Sequence, residues 1–86
     1  MDRATIRFID KRRRINVDLD IPLDITANDL IAALNKMYGL GIDTENMKEC
    51  YLKSEDPIVL IKGSRTLADF GIRTGSIIRH WIADIH

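Results

Sequence analysis

Few residues in this chain of 86 could do chemistry: it holds one cysteine, Cys50, and two histidines, His80 and His86. A lone cysteine closes no intramolecular disulfide and by itself builds no zinc or iron–sulfur site. Cys50 alternates in step with Leu52, which reads as a small core hydrophobe rather than a nucleophile. The histidines lack the flanking cysteine or carboxylate spacing of a metal centre, and no Cys/His, Ser/His/Asp or glycine-rich phosphate arrangement is visible. By alternation His80 shares a face with Ile78 and Ile82, so it is expected at a sheet edge or on the core rim. His86 is the last residue, where order is least expected. The expectation is a protein that is not an enzyme, with no catalytic residue, no cofactor and no metal.

Lys11-Arg12-Arg13-Arg14 is the one charge run. The bland reading is a solvated turn; the functional one is a contact with an anionic surface, whether acidic protein, lipid headgroups or RNA. Asp2, Asp10, Asp18 and Asp20 lie close in sequence and dilute its field. No aromatic residues interleave with it as base stacking requires, so nucleic acid is not expected as a partner. The whole chain balances 13 Lys and Arg against 13 Asp and Glu. A zero balance removes the global argument for nucleic-acid or membrane attraction.

The elements that position these residues follow from periodicity. Ala4, Ile6 and Phe8 alternate with Thr5, Arg7 and Ile9. Past the basic run, Ile15, Val17 and Leu19 alternate with Asn16, Asp18 and Asp20. Two period-two runs about a short polar stretch predict a hairpin, and without Asn-Gly or Asp-Gly the loop should hold three to five residues. Thr26 with Asp29 three residues on is a capping-box start, and Ile25 and Leu30 are spaced as a hydrophobic staple. Leu30, Ile31, Leu34, Met37 and Tyr38 form one apolar stripe, and Gly39 stands where a left-handed cap belongs. The helix should run from Ala27 to Tyr38.

Beyond it, Met47–Ser54 alternates weakly as a strand, with Cys50 and Leu52 opposed to Tyr51 and Lys53. Glu55-Asp56-Pro57 turns into a short strand, Ile58–Ile61, and Lys62–Arg65 turns again. Thr66–Ile72 suits one helical turn capped by Thr66 and stopped by Gly71, and Thr74-Gly75 leads into a last strand, Ser76–Ile82. A hairpin, one helix and further strands make an α+β domain occupying residues 1–86. A hydrophobic share of 45% supports a core, although a chain this short buries only roughly 60–65% of its unfolded surface. No apolar run approaches the ~18 residues of a membrane span, and there is no signal-like N-terminus. The absent disulfides point to a reducing compartment, so a cytoplasmic location is expected. Met1 and the lack of a Gly/Ser/Pro linker are what a complete gene product would show, with an excised domain left open.

This order of elements resembles ubiquitin, and Arg65-Thr66-Leu67-Ala68-Asp69-Phe70-Gly71-Ile72 resembles the ubiquitin stretch leading to its last strand. Leu30–Gly41 and Leu67-x-Asp69-x-Gly71-Ile72-x-x-Gly75 resemble the YukD/EsaB-like family, small ubiquitin-like accessory proteins of type VII (ESX-like) secretion systems in Gram-positive bacteria. That family typically carries an acidic residue after the last glycine, where this chain has Ser76. The resemblance implies a β-grasp fold, a mixed sheet of four to five strands on one helix plus a helical turn. It also implies a cytoplasmic accessory or regulatory role through protein–protein contact, as a monomer or weak homodimer, with components of a secretion apparatus as partners. The shared motif itself reads as structural, Leu67 and Ile72 anchoring the turn and Gly71 and Gly75 supplying backbone freedom.

Ubiquitin-like modifiers and sulfur carriers present a C-terminal Gly-Gly tail to an activating enzyme. Here the chain ends Trp81-Ile82-Ala83-Asp84-Ile85-His86, which disfavours that alternative unless a longer precursor exists. A small RNA- or anionic-surface-binding module built on Lys11–Arg14 is a further alternative. In ubiquitin-like folds the third and last strands are neighbours, so Tyr51, Ile77, Arg79 and Trp81 are expected to form an outward aromatic and arginine-bearing patch for a protein partner.

Overall fold

The computed structural model of the chain describes residues 2–42 and 51–80. The hairpin consists of β1 (Arg3–Asp10) and β2 (Ile15–Pro22), antiparallel and in register from Arg3 opposite Pro22 to Asp10 opposite Ile15. Lys11–Arg14 close it, with Arg14 in the left-handed region at φ 56° and its amide donating to the Lys11 carbonyl at 3.3 Å. Helix α1 spans Ala27–Tyr38, as the periodicity requires. Both halves of the capping box form: the Asp29 amide donates to Thr26 Oγ1 at 3.1 Å, and the Thr26 amide donates to Asp29 Oδ2 at 3.2 Å. Gly39 closes the helix in the left-handed region, its amide on the Asn35 carbonyl.

Three shorter strands follow, β3 (Leu52–Glu55), β4 (Val59–Ile61) and β5 (Ile77–Arg79). The sheet order is β2-β1-β5-β3-β4. The last strand therefore inserts in the middle, parallel to β1 and antiparallel to β3. Ala4, Ile6 and Phe8 of β1, Leu52 of β3, Ile61 of β4 and Ile78 of β5 face inward against Ala27, Leu30, Ile31 and Leu34 of α1, and all of them are buried. The alternation of β1 and the i, i+3/i+4 spacing of α1 thus meet in one core.

The segment between β4 and β5 forms the expected turn. The Asp69 amide donates to Thr66 Oγ1, and Phe70 and Gly71 close i→i+3 bonds onto Leu67 and Ala68. Leu67 and Ile72 are buried. Gly71 and Gly75 sit at φ 80° and 97°, where a β-carbon is penalised. Ser76, at the position of the family's acidic residue, is buried; its hydroxyl donates to the Asp56 carbonyl at 2.8 Å and accepts from the Arg73 amide at 3.1 Å.

Four expectations need correction. Met37 does not complete the apolar stripe but is 63% exposed, because the stripe ends at Leu34 and the last turn faces Tyr38 to the core. The fourth strand begins at Val59 rather than Ile58, which is 84% exposed beside the Pro57 turn. Of the expected third strand, residues 47–50 lie outside the described residues; Tyr51 precedes the strand, which runs Leu52–Glu55 and so takes in Glu55 from the expected turn. The last strand is Ile77–Arg79, since Ser76 turns back into the preceding loop. Cys50, Trp81, Ile82 and His86 lie outside the described residues.

Candidate protein-interaction face

The outer face of the sheet follows from its registers. Leu60 of β4 stands beside Lys53 of β3, Lys53 beside Arg79 of β5, Arg79 beside Ile9 of β1, and Ile9 beside Asn16 of β2. The next row runs Glu55, Ile77, Arg7 and Asp18. Neighbouring strands lie ~4.8 Å apart, so the first row, of five strands, spans roughly 19 Å and the second, of four, roughly 14 Å. Charges on this face are mostly paired across strands. Arg79 Nε donates to Glu55 Oε1 at 2.7 Å, Arg7 Nη2 lies 3.3 Å from Asp18 Oδ1, and Arg3 Nε donates to Asp20 Oδ2 at 3.1 Å. Cross-strand pairs of this kind orient side chains more than they stabilise, since exposed ion pairs contribute about 0–1 kcal/mol.

Of the expected patch, Ile77 and Arg79 are on this outer face and half-buried, because β5 is an interior strand with neighbours on both sides. Tyr51 is also half-buried, next to β3, and β3 and β5 are hydrogen-bonded neighbours. Trp81 belongs to the residues not described.

One end of the sheet carries an arrangement that the periodicity did not reveal. Asp10 points inward at 1% exposure, and three groups meet its carboxylate. The Arg13 amide donates at 3.1 Å, Arg13 Nη1 at 3.3 Å, and His80 Nδ1 lies at 2.9 Å. Arg13 Nη2 continues to the Leu40 carbonyl at 2.6 Å, just past the helix. Burial alone would push the Asp10 carboxyl up. The His80 contact, the Arg13 amide and the positive charges of His80 and Arg13 outweigh it and hold the carboxyl below its ordinary value.

The basic run is therefore divided. Arg13 is an internal clamp, whereas Lys11, Arg12 and Arg14 are exposed. His80 is not at a sheet edge: its amide donates to the Ile9 carbonyl and its side chain is 5% exposed, which puts it on the core rim. The available signal was Asp10 at an inward position of β1, a charge where an apolar residue belongs. Among the described residues no group of three or more His, Cys, Asp and Glu side chains could hold a metal ion. No helix among them is long and apolar enough to cross a membrane.

Solved structures share this fold at low identity. The ubiquitin-like domain of Plasmodium falciparum Dsk2 matches with a TM-score of 0.60 at 15% identity, covering 91% of this chain and 97% of that one. The C-terminal ubiquitin-like domain of mouse tubulin-specific chaperone e matches at 0.66 and 13%, covering 99% and 93%. The ubiquitin-like domain of the Mycobacterium tuberculosis type VII secretion system protein ECCD1 matches at 0.54 and 18%, covering 92% and 97%. The likeness establishes a ubiquitin-like β-grasp. No curated protein matches the chain in sequence. The family model for the WXG100 protein secretion system (Wss) protein YukD matches residues 3–79, so the chain, a ubiquitin-like domain, belongs to the YukD family.

Proposed function

We propose that the chain is a non-catalytic accessory module of a type VII-like secretion system, acting in the cytoplasm by docking a protein component of that apparatus. The docking face in this reading is Tyr51, Ile77, Arg79 and Trp81, the last entering from the alternation of the sequence. What supports it most is the pairing of β3 with β5. That pairing brings the outward positions of both strands together on one face, in a chain of a secretion-system family. Tyr, Trp and Arg are the side chains most enriched where interfaces concentrate their binding energy.

The test is genetic complementation. Deletion of the gene is expected to abolish or reduce export of the WXG100-type substrates, and the wild-type chain to restore it. An Arg79→Ala/Trp81→Ala variant with an unchanged circular dichroism spectrum is expected not to restore it. Undiminished export in the deletion strain, or full rescue by the folded double variant, refutes the reading.

A further inference from the structure

The charge arrangement on the outer face specifies the chemistry of what docks there. Among the described residues the ion pairs are Arg3–Asp20, Arg7–Asp18, Arg13–Asp10, Arg73–Asp56, Arg79–Glu55 and His80–Asp10. None involves Lys11, Arg12, Arg14 or Lys53, and all four are exposed. These cations lie at one end of the sheet. Lys53 is abreast of Arg79, Arg79 of Ile9, and the hairpin tip begins just beyond Ile9. Apolar side chains interrupt the same row, Leu60 at 52% exposure and Ile9 half-buried.

Resting on the docking reading above, we propose that the partner presents an acidic protein segment carrying apolar side chains. It lies across Leu60, Lys53, Arg79 and Ile9, with its carboxylates reaching Lys53 and the Lys11, Arg12 and Arg14 tip. A uniform polyanion fits worse. Glu55, Asp18 and Asp20 stand on the same face, and a phosphate backbone or an anionic bilayer would press against them as well as against the cations. A peptide can place its carboxylates selectively and use its apolar residues against Leu60 and Ile9. From Leu60 to Ile9 is three strand spacings, roughly 14 Å, which corresponds to about four residues of extended chain. The tip is held in one shape by the Arg13 contacts to Asp10 and Leu40, so its cations are presented with little ordering cost.

The experiment uses the full chain and a fluorescein-labelled peptide of about ten residues alternating Glu and Leu. Binding is read by anisotropy at about 50 and 300 mM NaCl, where screening differs strongly. The probes for comparison are the same peptide with Gln for Glu, polyuridylate, and phosphatidylglycerol vesicles. The expected result is saturable binding of the Glu peptide, weakened by salt and by the Gln replacement. Arg12→Glu/Lys53→Glu should weaken it about tenfold or more, and Leu60→Ser severalfold. All three positions are exposed, and circular dichroism verifies that each variant stays folded.

A charge-reversal effect under about twofold, equal binding of the Gln peptide, or tighter binding of polyuridylate or vesicles overturns the proposal. The complementation assay separates the two levels. Failure of the peptide with export still lost in Arg79→Ala/Trp81→Ala removes the acidic-segment inference and leaves the docking face. Failure of both removes the docking reading itself.

Discussion

Asp10→Asn tests the buried end of the sheet most directly. The carboxylate is 1% exposed and is met by the Arg13 amide, the Arg13 guanidinium and His80 at 3.1, 3.3 and 2.9 Å. Hydrogen bonds to a charged group contribute about 1.5–3 kcal/mol each, and removing one partner of a buried ion pair costs about 3–5 kcal/mol. The amide keeps one acceptor oxygen and nearly the same shape, so the expected loss is about 3 kcal/mol. For a domain of this size that corresponds to a fall of roughly 12–24 °C in Tm.

The pH dependence gives a second, independent readout. Asp10 sits below its ordinary value because the His80 and Arg13 contacts outweigh burial. The native state therefore binds this proton less tightly than the unfolded chain. The contribution is complete above the unfolded value of about 3.9 and is lost as pH falls through the lower native value. Urea unfolding from pH 2 to 7 should accordingly show the wild type and Asp10→Asn converging in acid. A loss under about 1 kcal/mol at pH 7, or a gap between the two that stays constant into acid, refutes the account of this cluster.

Other substitutions probe single features. Thr26→Ala removes one half of the capping box and should cost about 1 kcal/mol in urea unfolding. Gly75→Ala meets no neighbouring atom within 4 Å, so its expected cost of roughly 1–3 kcal/mol is purely conformational, and an unchanged midpoint contradicts it. Ser54→Ala removes a buried hydroxyl without a hydrogen-bond partner among the described residues. It should leave stability unchanged or raise it by up to about 1 kcal/mol, and a clear loss would reveal a partner for that oxygen. Trp81→Ala, if the side chain faces a partner, should cost less than roughly 1 kcal/mol of stability but about 2 kcal/mol or more of binding. A drop of about 3–5 kcal/mol in folding stability instead would assign Trp81 to the core.

Local signals carried most of the fold. Helix α1 has its apolar spacing, its cap and its terminating glycine within one stretch, so Ala27–Tyr38 needed no tertiary information. The hairpin was equally local, an alternation that folds back through four residues. The short strands were less legible, because three- and four-residue strands hold too few positions to fix a period. Their ends are set by tertiary bonds, such as the Ser76 hydroxyl reaching the Asp56 carbonyl. Met37 shows the same limit from the helical side: the spacing admitted it to the stripe, but in the last helical turn Tyr38 packs on Phe8 while Met37 faces solvent. Of the candidate face, the outward positions of Ile77 and Arg79 followed from alternation, while the cation surplus depended on which acids each arginine meets across strands.

The basic run shows why that last information is absent from sequence. Lys11, Arg12, Arg13 and Arg14 are equivalent as a charge pattern, yet they do opposite things. Arg13 is directed inward because Asp10, three residues earlier, occupies a core-facing position of β1 and must find a cation. Its far nitrogen then reaches Leu40, and a β-carbon at Gly41 would meet it only at ordinary van der Waals distance, 3.4 Å. Gly41 is therefore required by the turn, at φ 74°, rather than by the clamp. One arginine thereby joins the hairpin tip to the end of the helix, while His80 joins the same carboxylate to β5. The buried charge that looks costly in the core is what holds the tip that carries the three exposed cations. A partner reading those cations meets a shape already set, and the stability of the Asp10 cluster and the affinity of the tip should fall together when Asp10 is replaced.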